Sequence, residues 1–498
     1  MKRLLKFQWV LLCALFINFA CTDRDDNPVD PPVNGEYEIQ DFIWKSMNYW
    51  YYWQEDVNDL ADDRFATDEE YTNFLSNYTD PEDLFNNLVY TEEDDFSWYI
   101  EDVDEQANEF RGISESYGIS LAYIVRISQD SNDVVAFVGY VIPNSPASDA
   151  GIKRGDLIYK VDGTKLTVNN YQLLNNLFTE KSISLGFGEF ENGAFTGNAN
   201  DTDLTAVLLN ENPVHYHSVI EENGKKIGYL VYNSFINTYH KELNDVFAEF
   251  KAANIDELVL DLRYNGGGSV LTAAFLASMI DGTTTTEDVF AELEFNAKRN
   301  EKEGGTYPFF DKAFIYDKTT GEYAGEDEDI QINRLTTLNR LYVIGSGYTA
   351  SASEMIINGL RPFMDVILVG ETTVGKNEGS ITVYDSGVNY TDSENRNPNH
   401  NVGLQPIVFQ IFNSEKENNY DNGFEPDIPV EEAPYAANIL PFGDPNEIML
   451  RTTLDAISGA SAKSSLSRKG TLPTVAKIKG KKFSTEMYIA PGDEKFLK

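Results

Sequence analysis

The sequence predicts an α/β protein of several domains, with a helical N-terminal part, a strand-rich middle part and a larger part in which strands and helices alternate. Residues 37–110 carry apolar side chains at helical spacing, whereas residues 111–212 contain runs typical of strands. Residues 226–280 then run strand, helix, strand, helix, which predicts a mixed or parallel sheet covered by helices. A chain of 498 residues has room for about two to four such domains.

Composition excludes one large class of function. The chain is 42% hydrophobic and 13% aromatic, which is enough for well-packed cores, and its formal net charge is −42. Proteins that bind nucleic acids need a basic surface, so we expect no nucleic-acid partner. The acidic charge favours a soluble body exposed to an extracytoplasmic medium.

The first residues predict targeting rather than folded structure. Residues 1–20 combine a positive start with a short apolar run, as signal peptides do. Cys21 follows directly, and the polar, acidic residues after it resemble those of a bacterial lipoprotein, although Asn18 stands where such sites usually carry Leu. We therefore predict lipidation at Cys21, a tether over 21–36, and an outer membrane lipoprotein of a Gram-negative bacterium on its periplasmic or surface side. The alternative is an ordinary secretory peptide with an incidental cysteine.

Cysteine usage excludes an internal disulfide in the processed chain. Of the two cysteines, Cys13 lies inside the predicted signal peptide and Cys21 would be the first residue after it. Stability must therefore come from packing.

The predicted N-terminal helical domain covers residues 37–110 and contains a dense aromatic cluster. We interpret this cluster as a helix that packs on the next domain, with a stacking platform for glycan or peptide as the alternative. Its members are Trp44, Tyr49, Trp50, Tyr51, Tyr52 and Trp53.

Residues 111–212 are predicted to form a PDZ-like domain. The run at 145–163, SPASDAGIKRGDLIYKVDG, resembles the PDZ domains of bacterial proteases. The resemblance implies that a peptide adds as a strand to the sheet edge and that a loop of backbone N–H groups binds its terminal carboxylate. Ser120 stands where many such loops have a second glycine, and the alternative is a domain that only packs on the catalytic body. The loop residues would be Tyr117, Gly118, Ile119 and Ser120.

Two residues of the predicted catalytic domain, 213–457, suggest nucleophilic chemistry. Ser351 precedes an apolar helix, a short buried strand follows, and Lys376 comes after that strand. The serine would be the nucleophile and the lysine its base, which requires that the lysine pKa fall from about 10.4 towards 7 to 8. Desolvation can supply the roughly 3 to 5 kcal/mol that this shift represents.

An oxyanion hole is the other part of this chemistry. The N–H of Ala352 at the helix N-terminus is one candidate donor, and Gly266 or Gly267 at the end of a buried strand provides another. The competing interpretation is a capping box, because Glu354 stands three residues after Ser351.

Histidine and metal chemistry have weaker support. No Gly-x-Ser-x-Gly motif is present, and none of the four histidines lies in a triad motif. His215 and His217 are interpreted as alternation along a strand rather than as metal ligands.

Taken in order, these motifs resemble the C-terminal processing (tail-specific) proteases, peptidase family S41, of lipoprotein type. The resemblance rests on the PDZ run and on residues 261–268, 351–354 and 370–376. It implies a ClpP/crotonase-like catalytic core, Ser351 as nucleophile, Lys376 as base, and cleavage of peptide bonds, often near a C-terminus held by the PDZ domain. No metal or organic cofactor is implied.

The chain departs from the family pattern at the position four residues after the lysine. Many members have a glutamine there that orients the lysine, and this chain has Ser380, whose hydroxyl is a candidate for the same task. A Glu354 carboxylate beside Lys376 would favour the charged amine, so we expect it to bind backbone N–H groups or Arg263 instead.

The predicted function is therefore a serine endopeptidase acting on extracytoplasmic proteins or peptides. The alternatives are a non-catalytic surface lipoprotein that binds peptide or glycan, and a histidine-dependent esterase. Residues 458–498 form a basic tail that either folds onto the acidic body or binds a partner. The sequence leaves the oligomeric state open.

Overall fold

The computed structural model describes residues 35–387, 389–459, 471–478 and 484–498. The predicted signal peptide, Cys21 and nearly all of the tether lie outside the described residues. Within the described ranges, no helix is both long enough and apolar enough to cross a membrane.

The N-terminal domain is helical, as predicted, and packs directly on the catalytic domain. Four members of the aromatic cluster, Trp44, Trp50, Tyr51 and Trp53, are 9% exposed or less and belong to the main core, and Tyr49 and Tyr52 pack against it, which favours the packing interpretation. Its elements are α1 (Glu38–Trp50), α2 (Asp68–Leu75), α3 (Pro81–Leu88), β1 (Trp98–Ile100), α4 (Val103–Phe110) and a 3-10 turn at Asn58–Leu60.

The middle domain is built around an antiparallel sheet with its own hydrophobic core. Ser145 caps α5 through the Ser148 N–H, and Pro146 occupies the first turn, where its missing N–H costs nothing. The elements are β2 (Ile113–Ser116), β3 (Ile119–Arg126), β4 (Val134–Val141), α5 (Pro146–Asp149), β5 (Leu157–Val161), β6 (Thr164–Lys165), a 3-10 turn (Tyr171–Asn175), α6 (Asn176–Thr179), β7 (Ser182–Glu191), β8 (Ala194–Gly197), β9 (Thr202–Thr205) and β10 (Val207–Asn210).

The catalytic domain contains two six-stranded sheets that pack around buried helices. Its first half comprises β11 (Val214–Glu222), β12 (Lys225–Tyr232), a 3-10 turn (Asn237–Tyr239), α7 (His240–Ala253), β13 (Glu257–Asp261), β14 (Gly268–Ser269), α8 (Val270–Ile280), β15 (Val289–Phe295), α9 (Asn300–Glu303), β16 (Gly305–Pro308), β17 (Lys312–Ala313), a 3-10 turn (Glu326–Glu328) and β18 (Ile330–Gln331). Its second half comprises β19 (Arg340–Gly345), α10 (Ala352–Leu360), β20 (Asp365–Gly370), β21 (Glu378–Ile381), β22 (Val383–Tyr384), β23 (Gly403–Gln405), β24 (Ile407–Phe412), β25 (Ile428–Pro429), a 3-10 turn (Ala433–Asn438) and α11 (Ile448–Ile457).

The described parts of the tail fold onto the body. They contribute β26 (Thr474–Lys477), β27 (Met487–Ile489) and a 3-10 turn at Glu494–Phe496. β26 extends the middle sheet beside β3, and β27 lies inside the second catalytic sheet, between β14 and β21. Of the two expectations for the tail, folding onto the body is therefore the one observed for these residues.

The first catalytic sheet has the order β11-β12-β13-β19-β20-β25, and its members from β12 to β25 run parallel, as predicted. β13, β19 and β20 are neighbours, so their carboxyl ends meet at one edge. The chain leaves these ends at Asp261, Gly345 and Gly370, immediately before the three candidate site segments.

Candidate active site

Ser351 is the N-cap residue of α10 and has a strained backbone. Its φ is 63°, a value that non-glycine residues adopt rarely and that clusters at functional sites. The residue is fully buried, and among the described residues its Oγ has no hydrogen-bond partner. The capping box considered from the sequence is therefore present through Glu354, whose carboxylate accepts the Ser351 N–H, whereas the Ser351 hydroxyl makes no hydrogen bond to the helix.

Glu354 connects Ser351 to Lys376. A single carboxylate oxygen, Glu354 Oε2, accepts the backbone N–H of Ser351 at 2.8 Å and that of Lys376 at 2.9 Å. The other oxygen accepts the Gly375 N–H and the Thr373 hydroxyl, both at 2.6 Å. The backbones of Ser351 and Lys376 are thus held together, and Glu354 binds backbone N–H groups, as expected. Among the described residues, no hydrogen bond joins Ser351 Oγ to Lys376 Nζ.

The surroundings of Glu354 change the pKa of its carboxyl group. Burial raises its pKa to about 7, and the hydrogen bonds that it accepts oppose the increase. Arg263, the other partner considered for Glu354, pairs instead with Asp261, Glu432 and Glu447.

Lys376 is fully buried, with an aromatic ring on one side and a carboxylate on the other. Its Nζ lies 4.3 Å from the centre of the Phe96 ring, which belongs to the N-terminal domain. The same Nζ lies 2.8 Å from Oε1 of Glu486, a residue of the tail that is itself 2% exposed. The ammonium is therefore desolvated, and the tail supplies its counter-ion.

The glycine loop after β13 lies against Ser351. A Cβ on Gly267 would be 2.8 Å from Ser351 Cβ and 3.1 Å from Ala352 N, so only glycine fits here. Gly267 has φ 120° and Gly268 φ 137°, both in the region that favours glycine. Asn265 Oδ1 accepts the Gly267 N–H at 2.9 Å, and Gly268 N–H donates to the Glu486 carbonyl at 2.6 Å.

These contacts test the geometry of the predicted oxyanion hole. Ala352 N–H lies at the N-terminus of α10, directly after Ser351, at the position predicted for one donor. Gly267 N–H is occupied by Asn265, and Gly266 lies under the Ser484 carbonyl, which would be 1.6 Å from a Cβ there. In this conformation the tail covers the glycine side of the hole.

Ser380 reaches Lys376 only through Glu486. Its hydroxyl lies 3.3 Å from Glu486 Oε2 and 3.2 Å from the Met487 carbonyl, and it accepts a hydrogen bond from Gln405 Nε2 at 2.9 Å. The direct serine–lysine contact considered from the sequence is not among the contacts of the described residues. Burial raises the pKa of Glu486 to about 7, while Lys376 opposes the increase.

The predicted carboxylate-binding segment of the middle domain is partly a strand. Ile119 and Ser120 begin β3 and pair with β4, and the Gly118 N–H donates to Ser116 Oγ at 3.0 Å. Tyr117 is buried, and its hydroxyl donates to the Glu180 carbonyl at 2.5 Å. Tyr117, Ile119 and Ser120 nevertheless line a cavity of about 340 Å³ that is also lined by the glycine loop of the catalytic domain. The cavity therefore lies between the middle domain and the glycine loop.

Histidine and metal chemistry are absent from this region of the described structure. His217 pairs with Glu249, His400 with Asp385, and His240 bonds Thr272, while burial lowers the pKa of His215 to about 4. No group of His, Cys, Asp and Glu among the described residues is arranged to hold a metal ion.

Sequence reasoning missed three contributors to the site. Glu486 stands in a basic tail more than 100 residues after Lys376, Phe96 comes from the N-terminal domain, and Gln405 acts through Ser380. None stands within a motif. The only signal in the sequence for Glu486 is its rarity, because it is an acidic residue in a lysine-rich tail.

Comparison with known families agrees with this architecture. Residues 226–430 match the model "Peptidase family S41", residues 38–98 match "Peptidase S41 N-terminal domain", and residues 137–173 match "PDZ domain". The predicted fold class, an α/β multidomain protein with a PDZ-like domain and a helical N-terminal domain, is confirmed.

Individual relatives are distant. "Carboxy-terminal processing protease CtpA" of Bacillus subtilis (strain 168) is 26% identical over 290 residues, which are 58% of this chain and 53% of that protein. "Probable CtpA-like serine protease" of Staphylococcus aureus (strain bovine RF122 / ET3-1) is 24% identical over 294 residues, 56% of this chain and 51% of that protein. The chain thus matches about half the length of these curated relatives.

One solved structure resembles nearly the whole described body. The "Putative S41 protease" from Bacteroides fragilis NCTC 9343 is 27% identical with a TM-score of 0.63, and the match covers 84% of this chain and 97% of that chain.

Proposed function

We propose that this chain, which carries the domains of peptidase family S41, is a serine endopeptidase with Ser351 as nucleophile and Lys376 as general base. The observation that carries the proposal is the shared hydrogen-bond acceptor: Glu354 Oε2 binds the backbone of both residues and holds them together in a buried site. The relatives named as proteases support the same class of reaction.

The reaction proceeds in two steps. Neutral Lys376 Nζ takes the proton of Ser351 Oγ, the oxygen attacks the peptide carbonyl, and the resulting oxyanion receives the Ala352 N–H. Lys376 then gives the proton to the departing amine, which leaves an acyl-enzyme. Water, activated by the same amine, releases the second product and frees Ser351.

Lys376 is fully buried in the site, with its Nζ 4.3 Å from the centre of the Phe96 ring. A solvated lysine far from Ser351 would have favoured a protein that only binds peptides. The burial of the aromatic cluster likewise gives no support to a glycan platform.

An assay of paired variants tests the proposal. We expect Ser351→Ala and Lys376→Ala each to lower the cleavage rate of an unstructured polypeptide by at least 1000-fold, by analogy with the loss of a catalytic nucleophile or base. Circular dichroism should show that the fold is retained. Ser128→Ala and Lys251→Ala remove the same groups from exposed positions and should cleave at the wild-type rate. Wild-type cleavage by Ser351→Ala would reject the assignment.

The substrate class is also part of the proposal. We propose extracytoplasmic proteins or peptides, with C-terminal recognition by the PDZ domain, for a protein anchored to the outer membrane through Cys21. In the same assay, substrates with free C-termini should be cleaved faster than amidated ones. Fractionation of cells that express Cys21→Ser measures the contribution of the anchor.

A further inference from the structure

The two described parts of the C-terminal tail lie in two places where an extended peptide would bind. In the PDZ domain, β26 adds to the outer edge of β3 as an antiparallel strand. Arg126 N–H donates to the Pro473 carbonyl at 2.9 Å, and Ile478 N–H donates to the Ala122 carbonyl at 3.2 Å. Ile478 is 6% exposed and belongs to the hydrophobic core of the PDZ domain.

The direction of β26 is that of a PDZ ligand. β3 begins at the predicted carboxylate loop and runs away from it, and Thr474 faces Val125 whereas Lys477 faces Tyr123. The tail therefore runs towards the loop, as a bound peptide must if its C-terminus is to reach the loop.

The second part of the tail fills a gap in the catalytic sheet. β27 pairs in parallel with β14 on one side, where Met487 faces Gly268, and with β21 on the other, where Tyr488 faces Ser380. Without β27, the edges of β14 and β21 would face each other across an open groove. That groove adjoins Gly267, against which Ser351 packs.

Glu486 contacts the proposed catalytic groups in two ways. Its carbonyl oxygen lies beside Gly267 and Ser351, and its carboxylate lies beside Lys376. Its carbonyl oxygen would be 2.5 Å from a Cβ on Gly267, and Ser351 Cβ would be 2.8 Å from the same point. Its carboxylate lies 2.8 Å from Lys376 Nζ. An amine held by a carboxylate at this distance is not available to Ser351 Oγ.

We propose that the C-terminal tail is an intramolecular ligand of both peptide-binding surfaces, the PDZ edge and the catalytic groove, and that a substrate must displace it. The groove would then take an extended peptide with apolar residues after the position of Glu486, as in Glu486-Met487-Tyr488-Ile489. Charge supports this choice of occupant, because the tail is lysine-rich and the chain as a whole has a net charge of −42. The consequence for turnover rests on the proposed peptidase function, whereas the binding claim does not.

A reversible cross-link in the full chain tests occupancy. Ile124 and Ala476 face each other across the two strands and pack on the same core, so cysteines at both positions should form a disulfide, in a Cys21→Ser background. The probe is a fluorescent synthetic peptide with the sequence of residues 471–490, and its binding is followed by anisotropy. Ser351→Ala is included so that no cleavage can occur.

We expect the reduced protein to bind the probe at least tenfold more tightly than the oxidised protein. The single variant Ala476→Cys should bind equally under both conditions, which controls for the reductant. Failure of the disulfide to form, or equal affinity in the two states, would overturn the proposal. Because the measurement needs no catalysis, a failure of the proposed peptidase activity would appear separately, in the Ser351 assay.

Removing the charge of Glu486 tests the effect on turnover. Glu486→Gln keeps the shape of the side chain but frees Lys376 from its counter-ion, so we expect kcat/KM to increase several-fold. Glu415→Gln removes the same charge from an exposed loop and should leave kcat/KM unchanged. A decrease in kcat/KM for Glu486→Gln would mean that the carboxylate helps to position Lys376, and would overturn the inhibitory role.

Discussion

Glu354 shows how much of the site depends on one buried carboxylate. It accepts hydrogen bonds from Ser351, Thr373, Gly375 and Lys376, which lie on two segments separated by a helix and a strand. Four donors compensate a buried charge that would otherwise be costly. From the sequence, Glu354 is expected to form a capping box or to bind backbone N–H groups or Arg263, and the structure shows that it joins the backbones of Ser351 and Lys376.

The variant Glu354→Gln tests this role. A glutamine keeps one acceptor oxygen but turns an NH₂ group towards backbone N–H donors, at a cost of about 1–3 kcal/mol for each donor left unsatisfied. We expect a lower midpoint of chemical unfolding and a loss of kcat of roughly tenfold to a hundredfold, since small displacements of reacting groups are costly. An unchanged kcat in a destabilised protein would show that Glu354 supports the fold without aligning the site.

At the scale of elements, the site is assembled by three parallel strand ends. β13 delivers the glycine loop, β19 delivers Ser351, and β20 delivers Lys376. Because the strands are neighbours in one sheet, groups far apart in the chain meet at its carboxyl edge.

Gly267→Ala tests how closely the glycine loop must approach Ser351. The added methyl would lie 2.5 Å from the Glu486 carbonyl and 2.8 Å from Ser351 Cβ, and φ is 120°. We expect at least a hundredfold loss of kcat/KM.

The matched control is Gly224→Ala, in the β11–β12 turn. Gly224 has φ 78° and nothing within 4 Å of its Cβ position, so the variant has the backbone strain without the crowding. It should lose about 1 kcal/mol of stability and keep its activity. Equal activity of the two variants would argue against a close approach at Gly267.

The elements that could be predicted are those whose own residues form a recognisable pattern. The runs at 258–263, 341–344 and 366–369 became β13, β19 and β20, because buried parallel strands are continuous apolar runs. β14 and β27 have only two and three residues, too few to show a period. Their pairing joins residues more than 200 positions apart, so no local pattern could predict that Glu486 would contact Lys376.

At the scale of the whole molecule, buried charges join the PDZ domain to the catalytic domain. Arg154, from the PDZ run, pairs with Glu432, and Arg263, after β13, lies 2.8 Å from both Glu432 and Glu447. All four side chains are 7% exposed or less. The PDZ domain therefore sits on the catalytic domain through buried ionic contacts.

This network predicts a specific acid sensitivity. Burial alone would raise the pKa of Glu447, but Arg263, its hydrogen bonds and Arg154 lower the pKa to about 2 from the ordinary value of 4.5. Because the folded-state pKa is depressed, the stabilisation is complete above pH 4.5 and is lost as the pH falls towards 2. At pH 3, the free energy of unfolding should be about 2 kcal/mol lower than at neutral pH because of Glu447 alone.

Glu447→Gln removes the titrating group while keeping the shape of the side chain. Loss of a partner from a buried ionic cluster costs about 3–5 kcal/mol, so the variant should unfold at a lower temperature than the wild type at pH 7. The difference between the two melting temperatures should then become smaller between pH 5 and pH 3. In that range the wild type loses the stabilisation from the Glu447 carboxylate, which the variant never had. Glu415→Gln, at an exposed position, should follow the wild type at every pH. A constant gap between wild type and Glu447→Gln would show that the network does not control acid stability.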